Sequence, residues 1–387
     1  MSDHSTDEQF LQRALDLARQ GIGLASPNPY VGAVIVDPQG IIVGEGTYTY
    51  DGLKHAEVLA LEQAGGKARG STLYINLEPH CHQGRTAPCT DALIAAGIRR
   101  VAASMPDPNP KVSGRGFEKL RGAGVDVEVG GLQAEAQRLN EAFARYTRHG
   151  VPLVTLKSAM TLDGKIARPP RPRSAATETP PARWITGEAA RNHVQQQRRQ
   201  SDAILVGVGT ILSDDPLLTD RSGDARRRPF LRVILDSHLR LPLESRLVQS
   251  VAMKSAPEND VLVFCSSAGD KKKSDLEARG IRVEQLPPDS QGRPDIHAVL
   301  RRLGQLEITS VIIEGGSAVN GAALASRVVD KVFLYYAPTI LGAGSVPFAS
   351  CASFGLPHEA PRVKGLYIHR FEDDFAVEGY LRDPYKE

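Results

Sequence analysis

His55-Ala56-Glu57, followed downstream by Glu78-Pro79-His80-Cys81-His82-Gln83-Gly84-Arg85-Thr86-Ala87-Pro88-Cys89, gathers the residue types that metal-assisted hydrolysis needs. A histidine and a distant pair of soft ligands can hold zinc and leave one position for water, with a carboxylate two residues after the histidine standing beside it. The metal lowers the pKa of that water. A glutamate that is not a ligand, here Glu57, then carries protons between the water and a leaving amine. The chemistry implied is hydrolytic deamination. A closed structural zinc site takes four protein ligands, and a carboxylate beside such a site has no task, so Glu57 favours catalysis.

These side chains need elements to position them. Thr6 with Gln9 reads as a capping box, and Phe10, Ala14, Leu17 and Ala18 then recur at helical spacing up to Gly21. Strand-like runs follow at Val31–Val36, Ile41–Val43, Thr72–Leu77 and Arg100–Ser104, with helical patterns at His55–Gln63 and Thr90–Ala96. That alternation predicts a layered α/β sheet. It also places His55, Glu57 and Cys89 at helix N-termini, whose positive ends favour thiolate and hydroxide. A helix over Leu132–Arg148 ends near Gly150, and a new strand begins at Leu153. The expected boundary therefore divides 1–149 from 150–387.

The second part alternates again, with apolar runs at Ala203–Val206, Leu231–Leu235, Val261–Phe264, Ser310–Ile313 and Lys331–Tyr336. Short runs this apolar predict buried parallel strands. Two glycine-rich turns follow strands: Gly207-Val208-Gly209-Thr210, and Glu314-Gly315-Gly316-Ser317 leading into a helical stretch from Ala318. Such turns present backbone N–H groups to phosphate. Neither is a complete dinucleotide or Walker motif, but the pair points to a nucleotide or phosphorylated ligand. Between Ala167 and Trp184 the chain is too rich in proline and arginine to pack, which predicts a loop.

Composition sets outer limits. With 41% hydrophobic and 24% charged residues the chain reads as globular, and its net charge of +2 and 5% aromatics advertise no nucleic-acid surface. No apolar run has the length of a membrane span, and Met1–Gln9 is unlike a signal peptide, so a cytoplasmic protein is expected. Cys81 and Cys89 fall in the histidine-rich loop, which suits a metal better than a disulfide. Cys265 and Cys351 read as inert thiols.

In sequence order, the chain resembles the bifunctional riboflavin-biosynthesis deaminase/reductase family. The resemblance rests on Pro27-Asn28-Pro29, His55-Ala56-Glu57, Gly84-Arg85-Thr86 with Pro88-Cys89, Asp107–Pro110, Leu162–Lys165, Trp184–Thr186, Leu212–Pro216 and Glu314–Gly316. It implies an α/β protein with an N-terminal cytidine-deaminase-like three-layer domain and a C-terminal dihydrofolate-reductase-like domain. The implied cofactors are Zn2+ and NADPH. The implied reactions are deamination of 2,5-diamino-6-(5-phosphoribosylamino)pyrimidin-4-one and reduction of the ribosyl group to ribityl. The implied assembly is a homo-oligomer.

By that resemblance Glu57 is the proton shuttle, His55 and Cys89 are zinc ligands, Asn28 contacts the pyrimidine and Arg85 the substrate phosphate. Ala159, Trp184, Thr210, Asp214 and Ser237 take cofactor positions. So does the turn made by Gly316, Ser317, Ala318, Val319, Asn320, Gly321 and Ala322. Arg198, Leu218, Arg221 and Glu314 take substrate positions, and Lys157 lies in the matching first strand, with Asp163 in the loop after it.

The chain also departs from the family pattern. His80 stands where the first zinc cysteine belongs and Cys81 follows one residue late, so either one completes the ligand set. Tyr48 replaces a histidine, Tyr30 follows Pro29, and Ala182 stands at a substrate-contacting serine. Two further readings stay open: a working reductase beside a degenerate or re-purposed first domain, and a nucleic-acid deaminase or binding module.

Overall fold

The computed structural model describes residues 3–82, 87–168, 184–253, 260–350 and 359–386. Arg85 with Gly84 and Thr86, the Pro/Arg segment from Pro169 on, Ala182 and Cys351 lie outside them. The chain divides into two compact units, Met1–Gly150 with Ala225–Arg228, and Val151–Asp224 with Pro229–Glu387.

In chain order the first unit contains α1 (Asp3–Arg19), β1 (Gly32–Val36), β2 (Ile42–Thr47), α2 (Ala56–Ala64), β3 (Thr72–Ile75) and α3 (Cys89–Ala96). It continues with β4 (Arg100–Ala103), α4 (Arg115–Gly122), β5 (Asp126–Val129), α5 (Gln133–Leu139) and α6 (Glu141–His149). The sheet order is β2-β1-β3-β4-β5. β1 is antiparallel to β2 and β3, whereas β3, β4 and β5 run parallel.

Alternate residues face opposite layers, as the strand pleat requires. Ala33, Ile35, Leu73, Ile75, Val101 and Ala103 join a core with Ala56, Ala60 and Leu93 of α2 and α3. Val34, Val36, Tyr74 and Ala102 join Leu11, Ala14 and Leu17 of α1 on the other side. Three layers result.

Glycine sets how closely α2 approaches. A Cβ on Gly44 would stand 2.1 Å from the Ala60 carbonyl oxygen, and one on Gly46 would stand 2.1 Å from that of Ala56. The alanine stripe Ala56, Ala60, Ala64 therefore rests directly on β2, and the first turn of α2 is fixed relative to the sheet.

Two local expectations are corrected. α1 begins at Asp3, so Thr6 lies inside the helix and is not its cap; Asp7, one residue on, spends its carboxylate on Arg100 at 2.5 Å and on the Tyr74 hydroxyl at 2.6 Å. The helix expected over Leu132–Arg148 is broken at Asn140, whose φ of −107° and ψ of 16° leave helical geometry. Its carboxamide clamps the Tyr30 peptide, accepting from the backbone nitrogen at 2.8 Å and donating to the carbonyl at 3.0 Å.

The second unit contains β6 (Leu153–Thr161), β7 (Lys165–Ala167), α7 (Glu188–Gln200), β8 (Ala203–Gly207), α8 (Val208–Asp214), β9 (Leu231–Leu235), α9 (Arg246–Ala252) and β10 (Val261–Cys265). After these come α10 (Asp270–Glu277), β11 (Arg282–Gln285), α11 (Ile296–Gln305), β12 (Ser310–Ile313), α12 (Ser317–Ala325), β13 (Lys331–Ala337), β14 (Val346–Pro347), β15 (Lys364–Phe371) and β16 (Asp374–Tyr380).

Nine strands form one sheet in the order β11-β10-β9-β8-β12-β6-β13-β16-β15. The strands from β11 to β13 are parallel, and β16 and β15 add antiparallel to that edge. Leu205, Val233, Phe264 and Ile313 face one helical layer, while Val206, Ile234, Val263 and Ile312 face the other. Burial on both faces explains why these strands are apolar throughout. Ligands of such sheets bind beyond the carboxyl ends of the strands, where both glycine-rich turns lie.

Candidate functional sites

The first site is built where two helices begin. His55 is the N-cap of α2 and Cys89 is the first residue of α3, so both enter from helix N-termini. His55 Nδ1 lies 3.0 Å from Cys89 Sγ. With His80 they form a group of three ligands whose donor atoms lie within 4.8 Å of one another. Cys81 is outside that group. His80 is held to α3 through its carbonyl, which accepts from Thr90 N at 3.1 Å.

Glu57, on the first turn of α2, is 3% exposed. Burial, then the charge of Glu57 and a hydrogen bond to it, push the Cys89 thiol far above the usual range. Burial, then His82 and His55, push His80 down to about 4, so it is neutral at pH 7. A neutral imidazole is the form that ligates, and a divalent cation would reverse the pressure on the thiol.

The residues fit zinc. His80 Nδ1 is buried without a hydrogen-bond partner, and such a nitrogen is satisfied when its lone pair meets a cation. Two imidazoles and one thiolate are a zinc donor set, and three protein ligands leave the fourth position that a catalytic site requires.

Supporting contacts extend outward. Asn28 Nδ2 donates to the Tyr48 hydroxyl at 2.6 Å, and the Tyr48 ring meets His55 edge-on with centroids 5.4 Å apart. Asn76 and Asn140 hold the backbone of the loop bearing Asn28, through Gly32 N at 2.9 Å and the Tyr30 peptide. Sequence reasoning missed Glu78. Its buried carboxylate accepts from Asp107 N at 3.0 Å, Gly114 N at 2.9 Å and Gly116 N at 2.7 Å, and so braces the segment that carries His80. Among its signals only the neighbouring proline and histidine were visible; the three donors come from a distant loop and the start of α4.

The second site centres on Glu314, the residue after β12. Lys157 of β6 lies 3.2 Å from its Oε2, and Arg198 of α7 donates through Nε to Oε1 at 2.7 Å and through Nη2 to Oε2 at 3.0 Å. Burial opposes ionisation of Glu314, but Arg198 and then Lys157 outweigh it and hold the carboxyl at about 2. Arg198 Nη1 also donates to the Thr219 carbonyl at 2.9 Å, and Gln195 on the same helix accepts from Arg221 N at 3.2 Å. Leu218, buried with a positive φ of 57°, directly precedes Thr219. Arg198, Leu218, Arg221 and Glu314 are thus gathered by α7.

The cofactor candidates assemble around the two turns. A Cβ on Gly207 would stand 2.8 Å from the Val319 side chain and one on Gly316 would stand 3.8 Å from Thr210 Oγ1, so the turns after β8 and β12 are neighbours. Gly316 caps the nine-residue α12 without a side-chain hydrogen bond, and Ala318, Gly321 and Ala322 follow within that helix. Ser317 Oγ and Asn320 Oδ1 are buried without partners. A glycine cradle, an uncapped helix start and the orphaned Ser317 hydroxyl, which can donate, fit a dinucleotide phosphate.

Asp214 ends α8, and Ser237 follows β9, its carbonyl accepting from Ser266 N at 3.2 Å and Ser267 N at 3.0 Å. Ala159 sits on β6 opposite Tyr335. Trp184, 56% exposed, precedes α7, with the Arg191 guanidinium 5.4 Å from its ring centroid. Asp163 accepts from Thr161 Oγ1 at 2.5 Å and from the amides of Leu341 and Gly342 at 3.2 and 2.8 Å, anchoring the loop after β6.

Comparison with known proteins finds two family regions in the chain. Residues 4–105 match the cytidine and deoxycytidylate deaminase zinc-binding region, and residues 152–364 match the RibD C-terminal domain. The riboflavin biosynthesis protein RibD of Bacillus amyloliquefaciens is 38% identical over 379 residues, covering 97% of each chain. That of Aquifex aeolicus is 40% identical, covering 96% of this chain and 97% of its own. Among solved structures, Acinetobacter baumannii RibD superposes with a TM-score of 0.81 at 34% identity, covering 97% of this chain and 99% of its own. A diaminohydroxyphosphoribosylaminopyrimidine deaminase/5-amino-6-(5-phosphoribosylamino)uracil reductase from Thermotoga maritima gives 0.79 at 36% identity, covering 98% and 99%.

Proposed function

The chain belongs to the RibD family, and on that premise we propose that it is a bifunctional zinc-dependent deaminase and NADPH-dependent reductase of riboflavin biosynthesis. Residues 1–149 deaminate 2,5-diamino-6-(5-phosphoribosylamino)pyrimidin-4-one, and residues 150–387 reduce the ribosyl side chain of the resulting aminouracil to ribityl. The observation that carries the reading is the convergence of His55, His80 and Cys89 beside the buried Glu57.

When bound, zinc supplies a water whose pKa lies near neutrality. His55, His80 and Cys89 would hold the ion, with His80 in the place that Cys81 could have filled. The Glu57 carboxylate would carry both of the water's protons in turn, the first to the pyrimidine ring nitrogen and the second to the departing amine. Asn28, fixed by Tyr48, orients the pyrimidine. Arg85 retains its phosphate role on the strength of its motif.

In the second unit NADPH supplies the hydride. Thr210, Asp214, Ser237, Trp184, Ala159 and the turn Gly316–Ala322 bind and orient it. Glu314 stays ionised between Arg198 and Lys157, and together they orient the opened ribosyl group, with Leu218 and Arg221 closing on the substrate. Lys157→Ala at an unchanged reductase rate would remove Lys157 from this scheme.

No helix among the described residues is long and apolar enough to cross a membrane; a cytoplasmic homo-oligomer acting on a phosphorylated pyrimidine, without nucleic acid, completes the proposal. The deciding experiment incubates zinc-quantified protein with the diaminopyrimidine substrate and NADPH and reads product masses, because deamination and reduction change mass differently. Both changes are expected. Substrate returned with its exocyclic amine intact would sink the deaminase half.

A further inference from the structure

We propose that His82 is a positioning residue for the metal site, holding His80 in the tautomer that offers Nδ1 to the ion. This rests on the zinc reading above and adds to it a residue that is not a ligand. The His80 and His82 rings have centroids 4.1 Å apart with 61° between planes, and their Nε2 atoms are 3.3 Å apart. Such a contact places one proton between the rings, carried by one Nε2 or the other.

The two arrangements differ in what they leave at the far side of His80. If His82 donates, a neutral His80 carries its own proton on Nδ1, which is buried and has no acceptor; a buried donor without a partner is disfavoured. If His80 donates from Nε2, its Nδ1 is a lone pair available to the cation that His55, His80 and Cys89 can surround. The buried orphan nitrogen and the His82 contact thus select the same tautomer.

The requirement follows from ligand type. A thiolate has no tautomer to fix and needs no second hydrogen-bond partner, whereas an imidazole ligand is oriented and made more basic by an acceptor on its other nitrogen. His82, exposed and two residues along the same segment, supplies that acceptor at the one ligand carried on a loop; the other two belong to helix starts.

The test is zinc affinity of the full-length protein, measured by competition with a chromophoric chelator, with circular dichroism on each preparation. His82→Ala should weaken zinc binding roughly 10- to 100-fold. His82→Gln, whose amide oxygen accepts the same hydrogen bond, should recover most of it. In a His80→Cys background, His82→Ala should leave affinity unchanged, because no imidazole remains to be held.

Wild-type protein that binds zinc no better than His82→Ala overturns the role of His82 and leaves the zinc reading standing. An equal loss in the His80→Cys background also overturns it, since the effect would then belong to the loop. Wild-type protein that holds no zinc overturns the zinc reading and this inference together.

Discussion

Two buried carboxylates do opposite work because their neighbours differ. Glu57 sits beside a thiol and two imidazoles, groups that carry no fixed positive charge, and so depends on a metal to set its partner water. Replacing it by glutamine removes the proton carrier and keeps the ligands. Glu57→Gln should therefore retain zinc but release ammonia roughly 10²- to 10⁴-fold more slowly, while reduction of supplied aminouracil is unaffected.

Glu314 has two fixed cations, and its carboxyl lies at about 2 against an ordinary 4.5. Because its folded value is depressed, its stabilisation is fully present above about pH 4.5 and is lost as pH falls toward 2. Glu314→Gln should flatten that part of the pH dependence in urea unfolding. It should also cost about 3–5 kcal/mol at neutral pH, since the buried charge that balances Arg198 and Lys157 is lost. The motif His55-Ala56-Glu57 was legible in the sequence because three near residues carry it; the roles of Glu78 and His82 were not, because each depends on a contact that only the folded loop creates.

At the scale of elements, the site is as precise as the packing of α2 on β2. Gly46 lets the Ala56 carbonyl approach to where a Cβ would stand 2.1 Å away, and His55 and Glu57 flank Ala56. Gly46→Ala must push that first turn outward. Overpacking of this kind costs about 1–3 kcal/mol, and the displaced His55 should weaken zinc binding as well. Denaturant unfolding and metal titration on one preparation check both effects.

The same physical logic separates the elements that pattern revealed from those it hid. Strands buried on both faces, such as β8, β10 and β12, stood out as apolar runs. β5, whose Asp126, Glu128 and Val129 are exposed, and the edge strand β15 carry no such signal. α4 was hidden by its charged Arg115, Glu118, Lys119 and Arg121. The break at Asn140 depends on Tyr30, 110 residues away, a partner that no local window contains.

For the whole molecule, two chemistries in two compact units should fail separately. Chelating the metal should abolish deamination, yet reduction of preformed aminouracil should persist, because Lys157, Arg198, Glu314 and the glycine-rich turns include no metal ligand. Parallel assays before and after zinc removal and zinc return check this. Loss of both activities, restored together by zinc, would show that the metal also supports the reductase.

The outer end of the nine-stranded sheet is a place where a second copy could dock. Among the described residues β15 pairs on one side only, with β16, and exposes Leu366, Tyr367 and Ile368 at 63%, 53% and 62%. A terminal strand bearing exposed apolar side chains on both faces invites pairing with another chain. A second copy presenting the same edge would satisfy both by two-fold symmetry. Ile368→Lys places a charge on that edge without touching Lys157, Arg198 or Glu314. Light scattering coupled to size exclusion should show a homo-oligomer for the wild type and a smaller species for Ile368→Lys. An unchanged mass would locate the contact elsewhere.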